Sequence, residues 1–222
     1  MGTSSDGTAS TGRLASELLG AMAYGELSAF GRLSSDSRHA PTLKDRAVLA
    51  KIAVGAYGNF AVISGRLSEM GIDPEDAMLP FQRSFDHFHE RTKPGDWFES
   101  VMKAYVIDTV SSDFYRTVAA FLDDGTQQFV QRVASADQAT EALRFLLRRA
   151  LADDPRLASR LALWGRRLVG EALTQAQRVG LEHPHLGPLL KSGGDARAAV
   201  GRLTAELAES HGRRMSGLGL TA

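Results

Sequence analysis

Apolar residues recur along most of the chain at the three- and four-residue spacing of helices that bury one face. The stripe formed by Leu49, Ile52, Ala53, Phe60 and Ile63 is one example. No run alternates apolar and polar residues with period two, so the pattern predicts no sheet. It predicts six helices, over residues 13–37, 42–70, 97–122, 126–152, 155–168 and 195–214, with a short helical or irregular connection over 74–92.

Small polar residues mark where these helices begin. Thr42, followed three residues later by Asp45, is a variant of the capping box, and Asp96 is placed to cap the third long helix. Gly71 is a typical helix stop. The predicted boundaries therefore rest on capping chemistry as well as on hydrophobic periodicity.

The spacing of the helices predicts how they are connected. The first four long helices have short turns after the first and third and a long connection between the second and third, which is the ferritin-like layout of a four-helix bundle with one long crossover. Residues 1–12 contain little apolar surface and are expected to form a flexible tail. Residues 13–222 are expected to form a single all-α, ferritin-like domain with additional C-terminal helices.

Composition narrows the classes of function. The 222 residues include no cysteine, which excludes disulfides, cysteine-ligated metals and thiol catalysis. The formal net charge is zero, so nothing in the overall balance attracts nucleic acid or an anionic membrane. Neither a signal peptide nor a membrane span is evident, and the expected location is cytoplasmic.

Two acids lie on the predicted inward faces. Glu26 is four residues after Met22 and four before Phe30, inside the apolar stripe of the first helix. Asp108 flanks the core stripe of the third long helix. A ferritin-like dinuclear metal site would need such a carboxylate from each of two helices, and a Glu-x-x-His pair from each of the other two.

The other two helices place different residues at those positions. The inward pair with i, i+3 spacing is Ala56 and Asn59 on the second helix, and Ala136 and Ala139 on the fourth. A methyl group cannot bind a metal, and an amide oxygen is a poor substitute for imidazole. Four of the six expected ligands are therefore missing, and the sequence predicts neither a metal nor a cofactor.

Several segments resemble a known family. These are residues 23–30 (AYGELSAF), 103–108 (KAYVID), 112–116 (SDFYR) and 211–219 (HGRRMSGLG). They look like an actinobacterial ferritin-like family related to the MiaE-type tRNA hydroxylases, over roughly residues 14–222. The resemblance implies a di-iron site that activates oxygen, with Glu26 and Asp108 at two of its ligand positions.

Loss of four ligands removes both charge and side-chain volume from the bundle centre. The space must either be filled by bulky neighbours such as Tyr57 and Phe145 or admit a small apolar ligand, because an empty cavity is destabilising. Buried acids without a metal are expected to have raised pKa values. Tyr57, Asn59, Tyr105 and Tyr115 are the candidates to bind a substrate there.

Three functions follow from this interpretation. The first is a metal-independent enzyme that acts on an apolar small molecule, with Glu26 and Asp108 as catalytic acid and base in a cyclase, isomerase or dehydratase type of reaction. The second is a non-catalytic binding or scaffold protein. The third is a degenerate di-iron oxygenase. No nucleic-acid or membrane partner is expected, and a homodimer is left open.

Overall fold

All regular structure in the described part of the chain is helical. The computed structural model describes residues 3–135, 137–182 and 196–221. The helical structure of these residues confirms the all-α prediction. The α-helices are α1 (Thr3–Asp36), α2 (Leu43–Glu69), α3 (Pro74–Arg91), α4 (Trp97–Ala119), α5 (Asp124–Ala134), α6 (Asp137–Asp153), α7 (Leu157–Glu182) and α8 (Ala196–Gly217), and a 3₁₀ turn (Ser37–His39) follows α1.

The predicted caps begin the helices as expected. The Thr42 hydroxyl accepts a hydrogen bond from the Asp45 amide at 3.1 Å and donates one to the Asp45 carboxylate at 2.8 Å. The Asp96 carboxylate accepts from the Glu99 amide at 2.9 Å. Each of these bonds satisfies a backbone donor that has no partner within the helix, which fixes where α2 and α4 start.

Three predicted boundaries differ from the structure, and one of them is the end of the fifth predicted helix, which continues as α7 to Glu182 instead of ending at 168. Helix α1 begins at Thr3, where the sequence predicted a tail over 1–12, because the helix continues upstream of its buried stripe without a proline to stop it. The predicted fourth helix is divided into α5 and α6. The Arg116 guanidinium donates to the Ala134 carbonyl, so the last turn of α5 is bonded to a side chain of α4.

The core is built around α1 and α4. Helix α1 packs on α2 and α3, while α4 contacts α1, α5, α6, α7 and α8. Gly20 allows α1 and α3 to approach each other closely, because a Cβ at this position would lie 2.1 Å from the Ala77 carbonyl oxygen of α3. Leu18, Leu19 and Met22 are almost completely buried beside it, and each such side chain contributes about 1.5–3 kcal/mol of stabilisation.

Helix α2 has one buried face and one exposed face. Leu49, Ile63 and Leu67 are completely buried, whereas Val54 and Val62 are more than half exposed. Within the described residues, α2 alone is long and apolar enough to cross a bilayer by length and composition. Its buried face belongs to the bundle core, although only 22% of this apolar window is buried.

A candidate acid/base cavity

A large cavity lies in the bundle between α1, α2, α4 and α6 and extends to α3 and α7. Its volume is about 780 Å³, within the range of small-molecule sites. Short residues make the space on two of the walls: Gly55 and Ala56 on α2, and Ala139 and Ala142 on α6. The centre of the bundle is therefore open, and Phe145, one of the neighbours that could have filled it, is 65% exposed.

Glu26 and Asp108, the acid pair, both line this cavity. The Asn59 side-chain amide donates a hydrogen bond to Glu26 Oε1 at 3.2 Å. The Thr140 hydroxyl donates to Asp108 Oδ2 at 2.6 Å. Each acid on α1 or α4 thus receives one hydrogen bond from the facing helix, α2 or α6.

Burial makes both acids weaker than usual. The pKa of Glu26 is raised to about 7 by burial, which outweighs the opposing Asn59 hydrogen bond, and the negative charge of Asp108 adds to the rise. Burial also raises the pKa of Asp108, although Thr140, Arg116 and Arg214 act in the opposite direction. This agrees with the expectation that acids facing the bundle centre hold their protons to higher pH.

Tyr115 stands next to Glu26. Its side chain is buried, it lines the cavity, and Ser111 is its hydrogen-bond partner. Burial and the nearby charge of Glu26 raise the pKa of Tyr115, so the phenol keeps its proton. A Cβ at Gly25 would come within 3.1 Å of the Tyr115 oxygen, so glycine gives this hydroxyl its room beside the acid.

Two of the predicted substrate-binding tyrosines lie elsewhere. Tyr57 is 49% exposed and packs against Phe30 and Phe60 on the outside of the bundle, one residue and therefore 100° around α2 from Ala56. Tyr105 is buried but lines a separate cavity of about 260 Å³ beside α8. Asn59 and Tyr115 do line the main cavity, as predicted.

Comparison with known proteins identifies the fold family. A family model described as "Ferritin-like domain, actinomycetes" matches residues 11–193. The chain belongs to this family. A solved structure of a Synechococcus protein with aldehyde deformylating oxidase activity is similar, with a TM-score of 0.65, 18% identity and 93% of each chain covered. No curated protein matches.

The actinomycete ferritin-like family raises the question of a dinuclear metal site, and the side chains at the cavity do not fit one. Ala56 and Ala139 present methyl groups, and the Asn59 amide is bonded to Glu26. Among the described residues, no three of the metal-binding types His, Asp and Glu are grouped closely enough to hold an ion. Ala136, the other predicted alanine, lies outside the described residues.

Sequence reasoning missed several polar residues in the cavity of this ferritin-like protein or bonded to its acids. Thr140 follows the predicted position Ala139 by one residue and bonds Asp108. Arg32 and His89 line another part of the cavity. Arg32 interrupts the apolar stripe between Ala29 and Leu33, so its position could be predicted, whereas no sequence pattern indicates that His89 on α3 lines the same cavity.

Proposed function

We propose that the chain is a metal-independent enzyme that acts on a mostly apolar small molecule by acid/base chemistry. One observation carries the proposal: Glu26, with a pKa of about 7, forms part of the wall of a 780 Å³ cavity. A carboxyl group with a pKa near the working pH is an effective proton donor or acceptor. The surrounding walls suit an apolar substrate.

The side chains around Glu26 have distinct roles in this mechanism. Glu26 and Asp108 face the substrate from α1 and α4, so that one of them takes a proton from it while the other returns one. The Tyr115 hydroxyl orients a polar group of the substrate, and Asn59 holds the Glu26 carboxylate in place. Proton removal at one atom and return at another is the chemistry of an isomerase, cyclase or dehydratase.

Substitution of the central acid tests the proposal. A small-molecule extract is incubated with the wild-type protein, Glu26→Gln or Glu141→Gln, and consumed compounds are identified by mass spectrometry. Glu141 is the matched control because it is exposed and paired with Arg144 on α6. We expect Glu26→Gln to lower the rate by about 10²–10⁴-fold with the fold intact, and Glu141→Gln to be unaffected. Full activity in Glu26→Gln would reject the assignment.

The other two functions make different predictions. A scaffold protein has no need of an enclosed pocket, so the 780 Å³ cavity beside Glu26 counts against it. A degenerate di-iron oxygenase requires bound metal, and elemental analysis below one iron or manganese per chain would remove that function. Two metal ions bridged by Glu26 would instead overturn the proposal made here. The relation to MiaE-type hydroxylases and the homodimer stay predictions.

A further inference from the structure

Arg32 on α1 is a largely buried cation that lines the same cavity. Its Nε atom is buried and has no hydrogen-bond partner. Across the described ranges, no carboxylate forms an ion pair with its guanidinium, and Asp36 affects it only through space. A buried charge without a partner destabilises the fold. A protein that keeps one therefore often uses it to bind a ligand.

His89 on α3 lines the cavity with Arg32 and is similarly incomplete. Its Nδ1 atom is buried and has no partner. Burial, together with the positive charges of Arg32 and Lys103, strongly lowers the pKa of His89, so the imidazole is neutral near pH 7 and can donate one hydrogen bond. Arg32 and His89 therefore both line the cavity, and each has one buried nitrogen atom without a partner.

Lys103 on α4 completes this base cluster, which consists of Arg32, His89 and Lys103. Its side chain is 2% exposed, and its ammonium group donates to the Thr92 carbonyl at 2.8 Å and lies 5.5 Å from the centre of the Phe88 ring. Lys103 thus has its own partner, and Asp36 is the one acid whose charge favours its protonated form. Arg32 is the cation left to bind something else.

We propose that Arg32 and His89 form the binding site for a carboxylate carried by the otherwise apolar substrate of this cavity. The proposal rests on the proposed function, because it assigns the substrate class of the same site. A single negative charge fits best, since Asp36 already offsets part of the positive charge and His89 is neutral. Guanidinium and imidazole N–H groups are good donors to a carboxylate.

The geometry also sets the size of the substrate. Arg32 follows Glu26 by six residues on α1, which corresponds to about 9 Å along the helix axis. Ala29 and Ile107 are among the apolar residues that line the cavity. A substrate that reaches both residues is therefore a small carboxylic acid whose carboxylate and reacting atoms are separated by a distance on the order of 9 Å.

Binding of three eight-carbon probes tests this assignment without any turnover. Octanoate, octanol and octylamine share one apolar chain and differ in the charge of the end group, and titration calorimetry at neutral pH gives their affinities. We expect the wild-type protein to bind octanoate at least about tenfold more tightly than octanol, and octylamine most weakly, because charge-assisted hydrogen bonds to the carboxylate are worth that much. Equal affinity for octanoate and octanol would overturn the proposal.

Matched variants locate the carboxylate. Arg32→Gln should lose the preference for octanoate, whereas Arg38→Gln should keep it, because Arg38 is exposed and bonded to Ser35 on the surface. His89→Phe should weaken the preference several-fold and serves as the second variant if Arg32→Gln does not fold. A preference that survives both Arg32→Gln and His89→Phe would overturn the proposal.

The Glu26→Gln variant separates this inference from the proposed function. It should keep the preference for octanoate even though it is expected to lose turnover. Loss of the preference in Glu26→Gln but not in Arg32→Gln would place the carboxylate at the acid pair and reject the Arg32 site. An active Glu26→Gln protein that still prefers octanoate would reject the proposed catalysis and leave the Arg32 site standing.

Discussion

The two polar regions of the cavity are completed in different ways. Both members of the acid pair receive a hydrogen bond from the protein, Glu26 from Asn59 and Asp108 from Thr140. Arg32 and His89 instead keep buried nitrogen atoms without partners. The difference indicates that the protein itself supplies a hydrogen-bond partner to each acid of the pair. The unpartnered nitrogens of Arg32 and His89 require a hydrogen-bond acceptor that the chain does not supply.

The two regions also respond to pH in opposite directions. Burial raises the pKa of Glu26 to about 7 and lowers the pKa of Lys103 to about 7. Glu26 therefore costs stability as the pH rises toward 7 from below, and Lys103 costs stability as the pH falls toward 7 from above. Near neutral pH the folded protein is therefore destabilised by both Glu26 and Lys103. This is expected of a site that serves ligand binding rather than stability.

The largest effect is expected from Lys103→Met. The folded pKa of this amine is below its ordinary value of 10.5, so in the wild-type protein its contribution to stability is full above pH 10.5 and is lost as the pH falls to about 7. The difference in unfolding free energy across this window is up to about 5 kcal/mol. Urea unfolding at several pH values should show this slope in the wild type and in Lys44→Met, an exposed control, but not in Lys103→Met.

Glu26→Gln should remove the opposite slope. Because the folded pKa of Glu26 is raised from 4.5 to about 7, the wild-type protein loses stability as the pH increases across this window, by about 3 kcal/mol. The same urea experiment between pH 4.5 and 7 measures it, with Glu141→Gln as the control. An identical slope in the wild type and Glu26→Gln would show that Glu26 is not held in its protonated form by burial.

Much of the acid pair could be predicted from the sequence. The apolar stripes of the helices set their phase, and this phase placed Glu26, Asp108 and Asn59 toward the bundle centre. Periodicity shows which residues share a face of one helix, but it does not show which neighbour covers that face. Tyr105 was misassigned for this reason, since its side chain lies beside α8 rather than in the main cavity.

The base cluster was beyond the reach of periodicity. Its members come from three different helices, Arg32 from α1, His89 from α3 and Lys103 from α4. Helix α3 lies within the long connection between the second and third predicted helices, for which the sequence predicted only a helical or irregular segment. The position of His89 depends on how α3 packs against α1, and Gly20 sets that contact by tertiary fit.

A smaller effect is expected from Asn59→Leu, which removes the hydrogen bond that Glu26 receives from α2. The Asn59 amide stabilises the charged form of Glu26, so its removal should raise the pKa of Glu26 above about 7 by about one unit. Whether Glu26 acts as base or acid, the midpoint of the pH profile attributable to it should move to higher pH. NMR titration of the labelled Glu26 carboxyl carbon measures the pKa directly, and an unchanged value would contradict the role of Asn59.

The smallest effect is expected from Thr140→Val. The substitution keeps the shape of the side chain but removes the hydroxyl that donates to Asp108 Oδ2 at 2.6 Å, so thermal or urea unfolding should show a loss of about 1 kcal/mol and the pKa of Asp108 should rise further. Thr174→Val is the control, because that exposed hydroxyl bonds only the Gly170 carbonyl of its own helix. The loss should be smaller at low pH, where Asp108 is protonated and the charged form no longer needs the donor. A loss of stability that is equal at all pH values, or equal in Thr174→Val, would show that Thr140 matters for helix packing and not for Asp108. The contrast between an acid pair with hydrogen-bond partners and a base cluster with unpartnered nitrogens would then rest on Asn59 alone.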